Sequence, residues 1–145
     1  MIYELQSIRT EYAKPIYLSP VPGALARLAG SDTSRHYAVD RKSDAIDIFP
    51  TGIPFEFYTH LITHQNIGGM GVYLDTTGPD GNPWVMFHMD LRRKRNNRPL
   101  LWIAKKIWNV KKQEFTTKYY YPQSDYKHWS LLNNEKFFRD KQFNS

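Results

Sequence analysis

The segment Trp84-Val-Met-Phe-His-Met-Asp-Leu91 constrains the fold more than any other stretch of this chain. Along an extended strand successive side chains point to opposite faces, so Val85, Phe87, Met89 and Leu91 share one apolar face. Trp84, Met86, His88 and Asp90 share the other, where an imidazole and a carboxylate project two residues apart. The first face belongs to a core. The second reads as the floor of a cleft.

The flanking sequence supplies partners for such a strand. Gly71 to Leu74 reads as a second strand, and the connection Asp75-Thr-Thr-Gly-Pro-Asp-Gly-Asn-Pro83 is dense in turn formers, as a hairpin loop requires. Ala45 to Phe49 alternates as a short strand that Pro50 and Gly52 end. The run PFEFYTHLITHQ from Pro54 to Gln65 puts Phe55, Tyr58, Leu61 and Ile62 at helical spacing, with Pro54 in the first turn and Gly68-Gly69 just beyond the end. The first thirty residues read as a short strand at Ile16 to Leu18, a proline turn and a brief helical turn within Gly23 to Gly30. After Arg98, LLWIAKKIW is amphipathic with Trp102 and Trp108 on its core side, and Glu114 to Tyr121 reads as an edge strand. The polar, aromatic-studded end, with His128 beside Trp129, reads as a tail helix or a loosely ordered segment.

A chain of 145 residues suits one domain around one core. It has no cysteine, which excludes disulfides and thiolate ligands and leaves His and carboxylates to build any metal site. No apolar run follows a basic N-terminal start and none is long enough to span a bilayer, so the expectation is cytoplasmic synthesis without a signal peptide. The net charge of +6 is concentrated: from Arg92 to Lys112 nine basic residues follow Asp90 with no acid before Glu114. Such a face attracts nucleic acid, anionic lipid or acidic wall polymers, and it also reads simply as a solvated basic surface.

Catalytic zinc takes three protein ligands and keeps one position open, and imidazole with carboxylate is a standard set. His36 ends the polar loop Ser34-Arg35-His36, and Asp47 sits on the strand among Ala45, Ile46, Ile48 and Phe49. A carboxylate flanked by that much apolar surface is costly without a cation to meet. His60 and His64 are four apart on the helix, the spacing of paired ligands, but the glutamate of H-E-x-x-H is missing and a plain helix surface is the reading. Gly68-Gly69-Met70-Gly71 follows a helix and precedes a strand, the reverse of a phosphate loop, so these glycines read as turn and close-packing positions.

These residues resemble the Hedgehog-type and D-alanyl-D-alanine carboxypeptidase family of zinc peptidases, which includes many phage endolysins. That family carries S-x-H-x-x-G-x-A-x-D, then a Gly-x-Gly-x-Tyr element and a strand reading hydrophobic-His-x-Asp. Here Ser34-Arg35-His36, Ser43-Asp44-Ala45-Ile46-Asp47, Gly69-Met70-Gly71-Val72-Tyr73 and Phe87-His88-Met89-Asp90 occur in that order. The upstream Pro15 to Arg27 segment is similar to the strand and Ser-to-Arg stretch before the first ligand.

The resemblance implies an α+β fold: a small antiparallel sheet holding Asp47 and His88 on one face, helices packed on the other, and His36 delivered by a loop. It covers a peptidase-like core of about 12–92 within a single 1–145 domain, leaving 93–145 as a basic, aromatic C-terminal extension. Zn2+ on His36, Asp47 and His88 would polarise a scissile carbonyl in a peptidoglycan stem peptide and activate water. Arg27 would engage a substrate carboxylate or the oxyanion, with Arg35 competing for that role, and Tyr73 and Trp84 would line the substrate cleft. Two departures stand out. The loop between His36 and Asp47 is four residues longer than the motif, which leaves Asp40 and Asp44 as rival ligands. Many members carry an acid three residues before the last His, where this chain has Val85, so Asp90 would either take the proton or orient the His88 ring. The implied setting is synthesis in a host cytoplasm followed by action at the cell wall or within a virion. The alternative is a non-catalytic virion structural or nucleic-acid-binding protein, with Lys and Arg on phosphates and Trp102, Trp108 and Tyr119 to Tyr121 stacking.

Overall fold

The computed structural model describes residues 1–26, 28, 33–38 and 43–122, so Arg27, Asp40 and His128 lie outside the described residues. Within them the chain runs α1 (Ile2–Tyr12), β1 (Ile16–Leu18), β2 (Ala45–Pro50), α2 (Pro54–Thr63), β3 (Gly69–Thr77), β4 (Pro83–Asp90), β5 (Leu100–Asn109) and β6 (Glu114–Tyr120). The strands form one sheet in the order β1-β2-β4-β3-β5-β6. The architecture is α+β, with the helices against one face.

Alternation builds that face. Ile46 and Ile48 of β2, Val85, Phe87 and Met89 of β4, Met70, Val72 and Leu74 of β3, and Leu101 and Ile103 of β5 are all buried in one cluster. α2 closes it with Phe57, Tyr58 and Leu61, and α1 adds Ile8. The Phe57 ring meets Phe87 edge-on, with centroids 5.0 Å apart, the geometry that ring quadrupoles favour. α2 begins with Pro54 in its first turn, where a missing N–H costs nothing, and ends at His64, whose backbone returns to the extended region.

Two sequence expectations need correction. The sheet is mixed rather than antiparallel, because β5 runs parallel to β3 from Gly69–Leu100 to Tyr73–Ala104. The connection from Arg92 to Pro99 carries the chain across the end of β3, so the strand after β4 must point the same way as β3. LLWIAKKIW is therefore a strand with Leu101 and Ile103 in the core. Neither tryptophan shares that face: Trp102 is buried on the opposite side of β5 against His88, and Trp108 is 53% exposed and packs on Phe115 across the far end of the β5–β6 hairpin. Val21 to Ala24 forms a tight turn closed by Ala24 N–H to the Val21 carbonyl at 3.1 Å, and the helical turn expected within Gly23 to Gly30 falls partly outside the described residues. The helix α1 had no sequence signal of its own, since Ile8 is its one fully buried residue and its polar face is broad.

The segment read as a C-terminal extension contributes β5 and β6 to the sheet, with β6 as the edge strand expected at Glu114 to Tyr121. No described helix is long and apolar enough to cross a membrane.

Candidate metal centre

The face away from the helices is organised in rows across the sheet. Asp47 of β2 pairs in register with His88 of β4, His88 with Gly71 of β3, and Gly71 with Trp102 of β5. Directly paired residues of antiparallel neighbours hold their side chains about 5 Å apart on one face, so the Asp47 carboxylate and His88 imidazole are set together by strand pairing alone. The next row is Ala45, Asp90, Gly69 and Leu100.

The two glycines make this face possible. A Cβ on Gly71 would lie 2.3 Å from Trp102 Nε1, and one on Gly69 would lie 2.5 Å from both Asp90 Oδ1 and Arg92 Nε. Both positions must lack a side chain for their neighbours to close over β3. With that space open, the Trp102 ring reaches His88, centroids 5.1 Å apart, and Arg92 lies over Trp102 at 5.2 Å. The Gly-x-Gly-x-Tyr element is thus a packing device. Tyr73, two residues on, accepts a 3.4 Å hydrogen bond from Trp102 Nε1 and sets its ring against Tyr119.

His36 arrives from outside the sheet. Ser43 Oγ donates to the Leu25 carbonyl at 2.6 Å and lies 3.3 Å from the Arg35 carbonyl, tying the entry to β2 to the His36 loop. Asp47 N–H donates to the Ala24 carbonyl, and the Asp47 carbonyl accepts from Ser19, so the segment after β1 also fastens onto β2. Arg35 forms an ion pair with Asp44. That pair occupies Asp44 and leaves Asp47 as the carboxylate that reaches both imidazoles.

His36 Nε2 lies 3.3 Å from Asp47 Oδ1 and 3.1 Å from His88 Nδ1, and His88 Nδ1 lies 2.9 Å from Asp47 Oδ1. One ligand atom from each residue falls within 4.8 Å of the others, and both imidazoles are buried. The far side of His88 fixes its tautomer. Nε2 lies 3.0 Å from Asp90 Oδ2, and Asp90, fully buried, is gripped by Arg92 through Nε at 2.7 Å and Nη2 at 2.5 Å. An ionised carboxylate only accepts, so Nε2 carries the proton and a neutral His88 turns the bare lone pair of Nδ1 toward Asp47 Oδ1, itself only an acceptor. Two acceptors at 2.9 Å need a donor or a cation beside them, and the N–H of His36 Nε2, a proton on His88 Nδ1 or a metal ion would each meet that need.

The electrostatics follow this geometry. Burial alone would lower the His88 pKa, but hydrogen bonds to Asp47 and Asp90 outweigh it and hold the ring above its ordinary value. Burial would raise Asp47, and the bonds to His36 and His88 reverse that and lower it. Asp90 is pulled far below the usual carboxylate range: desolvation pushes up, while His88, Arg92 and the Arg92 charge pull down harder. With both oxygens engaged and no exposed surface, Asp90 is built to orient the His88 ring rather than to take a proton. Burial pushes the Tyr73 phenol up to about 12, only partly offset by the Trp102 bond, so it stays protonated and able to donate.

Not every sequence candidate joins the group. Trp84 stands four residues along β4 from His88, about 13 Å away at the ordinary strand rise. Its indole donates to the Pro50 carbonyl at 2.9 Å and its ring packs on Tyr17 and Phe49, a structural seat. Arg35 belongs to Asp44. His60 and His64 face α1, each 3.9 Å from a carboxylate, Glu11 and Glu4, on the opposite side of the sheet. Val85, at the position where an acid was sought, is fully buried in the helix-covered core. Arg92 and Trp102 are the residues the sequence reading missed as members of the site. Extending the alternation of His88 and Asp90 by two residues would have reached Arg92.

Comparison with known protein families, with curated proteins and with solved structures finds no match.

Proposed function

We propose that this protein is a zinc-dependent peptidase acting on peptidoglycan stem peptides, with His36, Asp47 and His88 as the metal ligands. The observation that carries the reading is the convergence of these three side chains, from a loop and two paired strands, on one point, with His88 turned by the Asp90–Arg92 pair so that a lone pair faces it. The ordered Ser-x-His, Ala-x-Asp, Gly-x-Gly-x-Tyr and His-x-Asp elements support the substrate class. Nitrogen and carboxylate donors without thiolates suit zinc. A zinc ion held there supplies Lewis acidity toward a scissile carbonyl and toward water.

The residues around it have separable tasks. Asp90 and Arg92 hold the His88 ring and its tautomer. Trp102 walls the site on the β5 side, and the neutral Tyr73 phenol offers a hydrogen bond to charge that develops on a carbonyl oxygen. The setting we propose is action at a bacterial cell wall, as a phage lysin or as part of a virion.

Val85 favours a second reading, a non-catalytic virion or nucleic-acid-binding protein that keeps the fold and the metal. Among the described residues, the carboxylates nearest the metal group are already committed, Asp47 as a ligand, Asp90 to His88 and Arg92, and Asp44 to Arg35. Release of muropeptides from purified sacculi separates the two. The peptidase reading expects soluble peptide fragments from the wild type and none after chelation or in His88→Ala. Zinc binding without fragment release would hand the case to the second reading.

A further inference from the structure

The connection between β4 and β5 is a built object rather than a slack loop. Asn96 and Asn97 both adopt left-handed backbone conformations, φ 49° and 58°, the two-residue turn that matches hairpin twist and that asparagine tolerates. Arg95 and Arg98 flank the turn and exchange backbone hydrogen bonds at 3.1 and 2.9 Å. Both stems are pinned at Gly68, which donates to the Asp90 carbonyl at 2.9 Å and accepts from Leu100 N–H at 2.8 Å. A cleft of about 840 Å³ lies against this hairpin, lined by Arg92, Arg93, Arg95, Arg98, Leu100 and Tyr121, among others.

Arg92 is spent on Asp90, but Arg93, Arg95 and Arg98 are exposed, and among the described residues no carboxylate lies within ion-pair distance of them. Three guanidinium groups held in one concavity repel each other until an anion arrives. Leu100 lies in the row of Gly69 and Asp90, one row from Asp47 and His88, about 7 Å along the strands. The cleft therefore opens at the rim of the metal face and shares Arg92 with it.

We infer that this cleft binds the phosphodiester groups of a linear polyol-phosphate polymer and so holds the protein beside its substrate. The planar fork of arginine matches phosphate oxygens in pairs, which a lysine point charge does not. Base recognition is a poorer fit to the same cleft. Single-stranded nucleic acid needs successive stacking platforms, whereas among the described residues the aromatic ring lining the cleft is Tyr121 and the exposed Trp108–Phe115 pair sits about 27 Å along β5 from Leu100. The phosphate chemistry stands on the cleft alone. That the polymer belongs to a cell wall rests on the peptidase reading.

The test is a binding titration of the full chain with a synthetic glycerol-phosphate oligomer, with single-stranded DNA and polyglutamate of matched charge as competitors. The wild type is compared with the triple variant R93A/R95A/R98A and with K105A/K111A/K112A, which removes the same charge elsewhere on the basic segment. Salt-sensitive binding of the oligomer, at least about tenfold weaker in the arginine variant and within about twofold of wild type in the lysine variant, is the expected result. Absence of binding, or equal loss in both variants, overturns the cleft. Tenfold preference for DNA replaces the polymer with nucleic acid, and preference for polyglutamate replaces phosphate with carboxylate. Zinc content read on the same samples stays at wild-type level in the arginine variant, so failure here is distinct from failure of the metal centre.

Discussion

The two faces of the sheet use the same strands for opposite purposes. On β4, Val85, Phe87 and Met89 disappear into an apolar cluster roofed by α1 and α2. One residue out of phase, His88 and Asp90 are also buried, but the polar side-chain atoms they carry are directed at partners. The helix face is held by area and shape and tolerates similar side chains. The metal face is held by directed bonds among charged groups, and losing one partner leaves another stranded. Stability and metal binding should thus be separable by choosing one residue or its neighbour.

The largest effect on that separation is expected from Phe87→Ala. Removing this fully buried ring should destabilise the fold by about 4 kcal/mol in denaturant unfolding, while the molecules that remain folded still bind one metal ion. A variant whose metal affinity falls in step with its stability would show that the faces are not independent.

Asp90→Asn should do the reverse. It keeps the shape but weakens the grip on the His88 ring and strands part of the Arg92 charge. We expect about 2 kcal/mol of lost stability and a 10- to 100-fold weaker metal affinity, read by competition with a chromophoric chelator. Unchanged affinity would mean that the Asp90–Arg92 pair serves the fold alone.

The smallest effect is alkaline and touches both faces at once. Tyr58 on the helix face and Tyr73 on the metal face are each pushed up to about 12, in both cases first by burial. The folded state favours their neutral form, so the stability they contribute is complete below pH 10, the unfolded value, and is lost as pH rises toward 12. Ultraviolet titration should show late-ionising phenols whose titration coincides with unfolding. Ionisation of every tyrosine near pH 10 with the fold intact would contradict the burial of both.

The legible parts of the molecule were those written in local pattern. Alternation from Trp84 to Leu91 disclosed both faces of β4, and turn residues disclosed its hairpin with β3. Asp47 and His88 were legible because each is a polar group on an otherwise apolar strand, whereas His36 was picked out only by the short-motif resemblance. Three features depended on pairing between distant segments and left no local trace. The parallel β3–β5 ladder is chosen by the path of the Arg92 to Pro99 connection. Trp102 joins the site only because it falls in register with Gly71, and α1 is held by Ile8 against a core made elsewhere. Arg92 continues the alternation of His88 and Asp90, but the basic run that starts there carries no apolar partner face to mark it as strand.

The proposed function requires His36, Asp47 and His88 to hold one ion. Elemental analysis of the purified protein after removal of loosely bound metal measures this most directly. The prediction is about one zinc per chain in the wild type and in His60→Ala, and loss of it in His36→Ala, Asp47→Ala and His88→Ala, each checked for folding by circular dichroism. A folded, metal-free wild type that takes up no zinc, or zinc retained in folded His36→Ala and His88→Ala, would contradict it.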